Sequence, residues 1–237
     1  MNGCIIFFGE AFRLGAQYTR DRGSDQSYDG QMQASKSHIS FIKDFNNKNV
    51  NIDVYISSYE TKFNDDLLKV YKDFLIGHDF YPNILGQEKL IHNAVNKISL
   101  EKYNFLLIMR IDLFLKNKFT EIFNHNWNKI MWPSICFKPY HLYNRKHPRV
   151  NDVMIFIPKK YYGYIKDLKY SQAGGGHCLW WHLMEHTNLS YDDLNTMLHT
   201  FHDSDSAKDF NPLYYIVNRP VSKIHINKND IFDKYNF

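Results

Sequence analysis

Residues 104–112 read Asn104-Phe105-Leu106-Leu107-Ile108-Met109-Arg110-Ile111-Asp112. An unbroken apolar run this short suits a strand covered on both faces better than a helix. Residues two apart on a strand point to the same face, so Arg110 and Asp112 project together where the run ends. A charged pair finishing an apolar strand is expensive to bury unless it is paired or ligated. It reads either as a salt bridge capping the strand or as a ligand site. In the second case Asp112 would hold a divalent cation while Arg110 neutralises phosphate oxygens.

Outward from this strand, the chain alternates elements. Residues 3–8 repeat the buried-strand pattern and are ended by Gly9. Residues 9–30 show no periodicity and read as a long loop, functional or mobile. His38, Phe41, Ile42 and Phe45 then recur at helical spacing until Asn46-Asn47, and residues 50–57 alternate as a strand. Two further helices are carried by Phe63, Leu67, Val70, Tyr71 and Phe74, and by Ile91, Ala94, Val95 and Ile98. Strand, helix, strand, helix, helix, strand argues for a parallel sheet covered by helices. Beyond it, strands are expected at residues 130–135, 153–157, 194–198 and 214–217. A helix should follow Gly174-Gly175-Gly176, and a polar loop should fill residues 200–211. The expected architecture is α/β: a Rossmann-type mixed, mostly parallel sheet flanked by helices, in a single domain over 1–237.

Composition removes several function classes. The chain has 237 residues, 44% hydrophobic and 23% charged, which excludes wholesale disorder, collagen-like repeats and a coiled coil. Aromatic residues make up 16%, which suits either a wide, partly polar cleft or simply an aromatic core. No apolar run approaches the roughly 18 residues of a membrane span. The N-terminus opens directly on a strand pattern without a charged leader, so a soluble, cytoplasmic protein is expected. The net charge of +4 is too evenly spread to mark a nucleic-acid binder. Cys4, Cys136 and Cys178 form neither a zinc spacing nor a disulfide framework, and reduced thiols are the default. Of 29 basic residues only seven are Arg, so each Arg is worth locating. Arg13, Arg20 and Arg22 fall in one loop, and Arg110 closes the central strand.

Ligands of open parallel sheets bind outside the carboxyl ends of the strands. Gly9-Glu10-Ala11-Phe12-Arg13 meets that rule, together with Arg20, Arg22 and Asp25. Glycine admits close approach, and arginines offer bidentate donors to phosphate. Neither a G-x-G-x-x-G nor a Walker A string is present, and a solvated loop with incidental arginines is the alternative. Asp152, at the start of a strand, is either a base for an acceptor hydroxyl or a turn cap. Gly174-Gly175-Gly176-His177 before a helix could cradle an anion or sugar, with Trp180 and Trp181 as stacking surfaces, or simply feed a core helix. His199, His202 and Asp203 cluster without a third ligand fixed by spacing.

Taken together, the opening strand with Gly9–Arg13, the Arg110-x-Asp112 ending, Asn151-Asp152 and residues 174–177 resemble a known family. These are the GT-A-fold, nucleotide-sugar-dependent glycosyltransferases, especially small ones of large DNA viruses and bacterial capsule or surface-glycan clusters. The resemblance lies in order and spacing, not in a diagnostic string. It implies a nucleotide-sugar-binding half over 1–115 and an acceptor-binding half over 116–237. Gly9, Glu10, Arg13, Arg20, Arg22, Arg110 and Asp112 would bind the nucleotide-sugar donor. Asp112 and His202 would hold a Mn or Mg ion, and Arg110 with Asp152 would be catalytic. Gly175, His177 and Trp180 would bind a glycan acceptor. The family's Asp-x-Asp has Arg110 in place of its first Asp, which puts metal dependence in question. Two alternatives stand beside this one. The first is a metal-dependent phosphoesterase or nucleotidyl hydrolase using Asp112, His199, His202 and Asp203; the second is a non-catalytic nucleotide- or glycan-binding module.

Overall fold

The computed structural model describes residues 1–15, 20–117, 119, 128–136, 149–150, 152–166, 194–200 and 213–219. In chain order the strands are β1 (Asn2–Gly9), β2 (Arg13–Leu14), β3 (Asp21–Arg22), β4 (Asn51–Tyr59), β5 (Leu75–Tyr81), β6 (Phe105–Arg110) and β7 (Leu113–Leu115). They continue with β8 (Ile130–Cys136), β9 (Arg149–Val150), β10 (Met154–Pro158), β11 (Leu194–Thr200) and β12 (Tyr214–Ile216). The principal helices are α1 (Tyr28–Asn47), α2 (Asn64–Tyr71) and α3 (Gln87–Lys97).

The main sheet runs β11-β8-β10-β6-β1-β4-β5, with β9 beside β8. β5, β4, β1 and β6 are parallel neighbours; β10 lies antiparallel between β6 and β8, and β11 is parallel to β8. This is the mixed, mostly parallel, helix-flanked sheet that the sequence leads one to expect. After β1 the chain builds outward through β4 and β5, then returns to β1's other side as β6. The strand order therefore reverses between β1 and β6, and the carboxyl ends at such a switch point are where open α/β sheets place ligands. Because β10 runs the other way, its amino end meets that same edge.

Alternation along the central strands divides the core. Ile5, Phe7, Leu107 and Met109 face α1 and α2, packing on Phe41, Ile42, Phe45, Leu67 and Tyr71. Cys4, Ile6, Phe8, Leu106 and Ile108 face α3 and a short helix, Tyr162–Lys166, packing on Leu90, Ala94, Val95 and Ile165. Each such side chain, fully buried, contributes about 1.5–3 kcal/mol. Cys4 is a free thiol buried here, and burial pushes its pKa up, so it stays protonated and inert. Among the described residues no helix is long and apolar enough to cross a membrane.

The structure departs from the sequence reading in several places; β6 stops at Arg110, and the short strands β7 and β9 carry too few residues to show a pattern. β5 was not expected; it is an edge strand whose residues are nowhere fully buried, so it lacks an apolar run. Its Asp79 instead accepts a hydrogen bond from the Tyr55 hydroxyl and pairs with Lys97 of α3. α1 begins ten residues before His38, inside the expected loop, because its first turns bury Gln31, Ala34 and Ser35 in place of large apolar groups. The rest of that loop contains a small antiparallel ribbon in which Arg13 pairs with Arg22.

Candidate functional site

Three loops meet at the carboxyl edge of the parallel strands. Gly9 ends β1 at φ 107°, a left-handed conformation that suits glycine. Its carbonyl accepts from the Ser58 hydroxyl of β4 at 2.7 Å. The chain then passes through Phe12, held at φ 51° with its ring packed against Tyr28 and Phe63. Such a backbone persists only when its surroundings fix it. Here the Phe12 N–H donates to Gln31 Oε1 at 3.3 Å, while Gln31 Nε2 donates to the Ile111 carbonyl at 2.7 Å. One buried amide on α1 thus ties the loop after β1 to the loop after β6.

That tie sets two groups of charges side by side. In the first, the buried Glu10 carboxylate accepts from Arg13 Nη1 at 3.0 Å and from Arg20 Nη1 at 3.1 Å. Arg22 Nε stands 3.9 Å from the same carboxylate, and its guanidinium lies 4.9 Å over the ring of Tyr59. In the second, Arg110 grips Asp112 edge-on, Nε to Oδ1 at 2.8 Å and Nη2 to Oδ2 at 2.5 Å. Both side chains are buried. Burial alone would lower the Arg110 pKa; the Asp112 carboxylate more than offsets this, so the guanidinium stays charged.

Asp152 and Gln87 complete the second group. The Arg110 N–H donates to the Val153 carbonyl at 2.8 Å, which holds the amino end of β10 against the end of β6. With its amide oriented to satisfy both neighbours, Gln87 accepts from Arg110 Nη1 at 3.0 Å and donates to Asp152 Oδ2 at 3.2 Å. Gln87 is the first residue of α3, directly after Gly86, whose N–H donates to the Tyr59 hydroxyl at 3.2 Å.

Arg219 arrives from the far end of the chain. β12 pairs with β7, and the Val217 N–H donates to the Asp112 carbonyl at 2.9 Å. Asn218 then bonds the Ser27 carbonyl at 2.8 Å and fills the space over Gly30, where a Cβ would come within 2.3 Å of its Oδ1. The charges of Arg110 and Arg219 both act on Arg13. Burial is the largest influence lowering the Arg13 pKa, and Glu10 opposes it.

The structure therefore brings Gly9, Glu10, Arg13, Arg20, Arg22, Arg110, Asp112 and Asp152 to one edge. Of the two readings of Arg110 and Asp112, the geometry is that of a salt bridge. Glu10 faces arginines, which makes it their counter-ion. Gly175, His177, Trp180, His202 and Asp203 lie outside the described residues. For His199 the backbone alone is described, one residue from the end of β11. The sequence reading passed over Gln31, Gln87 and Arg219. Arg219 was detectable by the same scarcity of arginine that singled out the others; the two glutamines gave no signal.

The Mn or Mg ion implied by the resemblance fits these residues poorly. Both oxygens of Asp112 accept from Arg110, so a cation there would share its carboxylate with a buried guanidinium whose charge repels it. Among the described residues no group of three His, Cys, Asp or Glu could hold a metal ion.

No protein-family model and no curated protein matches the chain. Solved structures do. The catalytic domain of Drosophila β1,4-galactosyltransferase 7, in complex with xylobiose, aligns over 97% of this chain and 79% of its own, at 10% identity and TM-score 0.49. A glycosyltransferase involved in glycosylation of the major capsid of PBCV-1 aligns over 81% and 80%, at 8% identity and TM-score 0.42. The 4-diphosphocytidyl-2C-methyl-D-erythritol synthase of Anaerococcus prevotii DSM 20548 aligns over 84% and 88%, at 9% identity and TM-score 0.49. At such identities these likenesses concern the fold and assign no reaction.

Proposed function

We propose that the protein is a glycosyltransferase, moving a hexosyl or pentosyl group from a nucleoside-diphosphate sugar to a glycan hydroxyl. The observation that carries this reading is the gathering of Arg13, Arg20, Arg22 and Arg110 beside Asp152 at the carboxyl edge of β1 and β6. That switch point of strand order is where an open α/β sheet places its ligands.

The chemistry follows from those groups. The acceptor oxygen bonds to the anomeric carbon as the bond from that carbon to the diphosphate oxygen breaks. The bonding pair leaves with the diphosphate. In an inverting transfer the acceptor's proton passes to the Asp152 carboxylate, which Gln87 orients. Arg110 and Arg13 stabilise the charge that develops on the leaving diphosphate, and such preorganised stabilisation is usually the largest catalytic contribution. Glu10 is a positioning residue that holds Arg13 and Arg20 in place. Gly9 lets the first loop turn close to the ligand.

The finer assignments rest on the resemblance alone. Residues 116–237, through Gly175, His177 and Trp180, would take the acceptor, within a single domain that acts in the cytoplasm on a capsule or virion-surface glycan. No step is assigned to a Mn or Mg ion at Asp112 or His202. A phosphoesterase relying on metal at Asp112 meets the same obstacle, the Arg110 pairing. A screen for thermal stabilisation by UDP, GDP, CMP and dTDP tests the reading. A ligand at 100 times its Kd stabilises by about 2.7 kcal/mol. A clear rise with one base is expected, and no rise with any would overturn the nucleotide-sugar assignment.

A further inference from the structure

We infer that this site holds the diphosphate of its nucleotide ligand on arginine alone, with the Nε–H and Nη2–H of Arg13 as the central contact and no divalent cation taking part. This rests on the nucleotide-sugar reading and specifies how its donor is held.

The Arg13 side chain is only 8% exposed, and its Nη1 is committed to Glu10. Its Nε and Nη2 are buried and meet no acceptor among the described residues. Buried donors without partners are rare in proteins and call for an explanation. These two atoms form the same edge of a guanidinium that Arg110 uses to grip the two oxygens of Asp112. One arginine of the site thus has a two-oxygen anion against that edge, and the other has that edge buried with no acceptor among the described residues. The shape fits two oxygens of one phosphoryl group, received side by side.

The charges agree. Arg13, Arg20, Arg22, Arg110 and Arg219 gather around three carboxylates, those of Glu10, Asp112 and Asp152. Among the described residues the excess is positive and matches a doubly anionic diphosphate ester. A divalent cation would add to that excess, and at Asp112 it would sit against the Arg110 guanidinium. Burial and the neighbouring Arg110 and Arg219 charges lower the Arg13 pKa, a stress that a bound anion would relieve.

The test is calorimetric titration of the full chain with UDP, GDP, CDP and dTDP, and with inorganic pyrophosphate, first in excess EDTA and then with Mn. Arg13→Lys keeps the charge but not the two-donor edge. Expected is binding of a nucleoside diphosphate in EDTA within about twofold of its value with Mn, weakened about tenfold or more in Arg13→Lys. Inorganic pyrophosphate should bind more weakly and compete. Binding that requires Mn would overturn the arginine clamp and leave the nucleotide-sugar reading standing, as would undiminished binding by Arg13→Lys. No binding of any diphosphate in either condition would overturn both. If Arg13→Lys does not fold, the Arg13 Nε–H resonance of the wild-type chain replaces it. A shift on adding the nucleotide in EDTA supports the clamp, and an unmoved resonance overturns it.

Discussion

His38 gives the fold a pH dependence that can be worked out from its two hydrogen bonds. The ring is fully buried in α1 and stacks on Phe7 with centroids 4.4 Å apart. Nε2 lies 2.5 Å from the Leu113 carbonyl oxygen, which can only accept, so Nε2 carries the hydrogen. Nδ1 then accepts from the Tyr71 hydroxyl at 2.6 Å. Both nitrogens of the neutral ring are satisfied, and a second proton would face a donor that must turn away. Burial lowers the pKa from 6.5 to about 4, against smaller opposing effects of the Leu113 carbonyl and Asp112. Between those values the unfolded chain carries a proton that the folded chain refuses. This contribution is therefore complete above pH 6.5 and lost as pH falls towards 4. The slope is about 1.4 kcal/mol per pH unit, about 3 kcal/mol across the window. Urea unfolding of wild type and His38→Gln at a series of pH values isolates it, because the carboxylates titrate in both. The variant should be less stable near neutrality, with the gap closing by about 3 kcal/mol towards pH 4. A constant gap would refute the neutral, doubly bonded imidazole.

Other perturbations probe the site and its frame. Asp112→Asn strips the buried Arg110 of its counter-ion and should cost about 3–5 kcal/mol, read by chemical denaturation without added metal. Unchanged stability there would return Asp112 to the role of a metal ligand. Gln31→Leu leaves the Phe12 N–H and the Ile111 carbonyl unpaired at about 1–3 kcal/mol each, and nucleotide affinity should fall with stability as the two loops separate. Affinity left intact would show that the loops hold their places without it. In β1, a Cβ at position 3 would fall 2.0 Å from the Phe105 ring, so Gly3→Ala should destabilise by about 1–3 kcal/mol, measured as a lower thermal midpoint.

What could be read in the sequence and what could not divide along physical lines. β1 and β6 are buried on both faces, and their runs of Ile, Leu and Phe declare it without reference to the rest of the chain. Strand geometry leads one to expect Arg110 and Asp112 on one face; in the structure β6 ends at Arg110, and the two are locked together across the turn that follows. β5 escaped because an edge strand with Gly77, His78 and Asp79 needs no apolar run. The first turns of α1 escaped because Gln31 and Ser35 are buried for their hydrogen bonds. Asp152 stands out in the sequence as an acid opening a strand. Its arrival beside Arg110 depends on β10 running antiparallel, which no local pattern states. Gln87 reaches the site only through the turn at Gly86, held by Tyr59 from another strand.

The central claim is that the arginine cluster at the carboxyl ends of β1 and β6 activates a nucleotide sugar for transfer. Release of nucleoside diphosphate from a panel of nucleotide sugars, with and without oligosaccharide acceptors, tests it most directly. The account expects release from one donor class, accelerated by an acceptor and slowed about 10²–10⁴-fold in Asp152→Asn. Cleavage of free nucleotides with no sugar attached, or binding of a nucleotide sugar with no release under any condition, would contradict it.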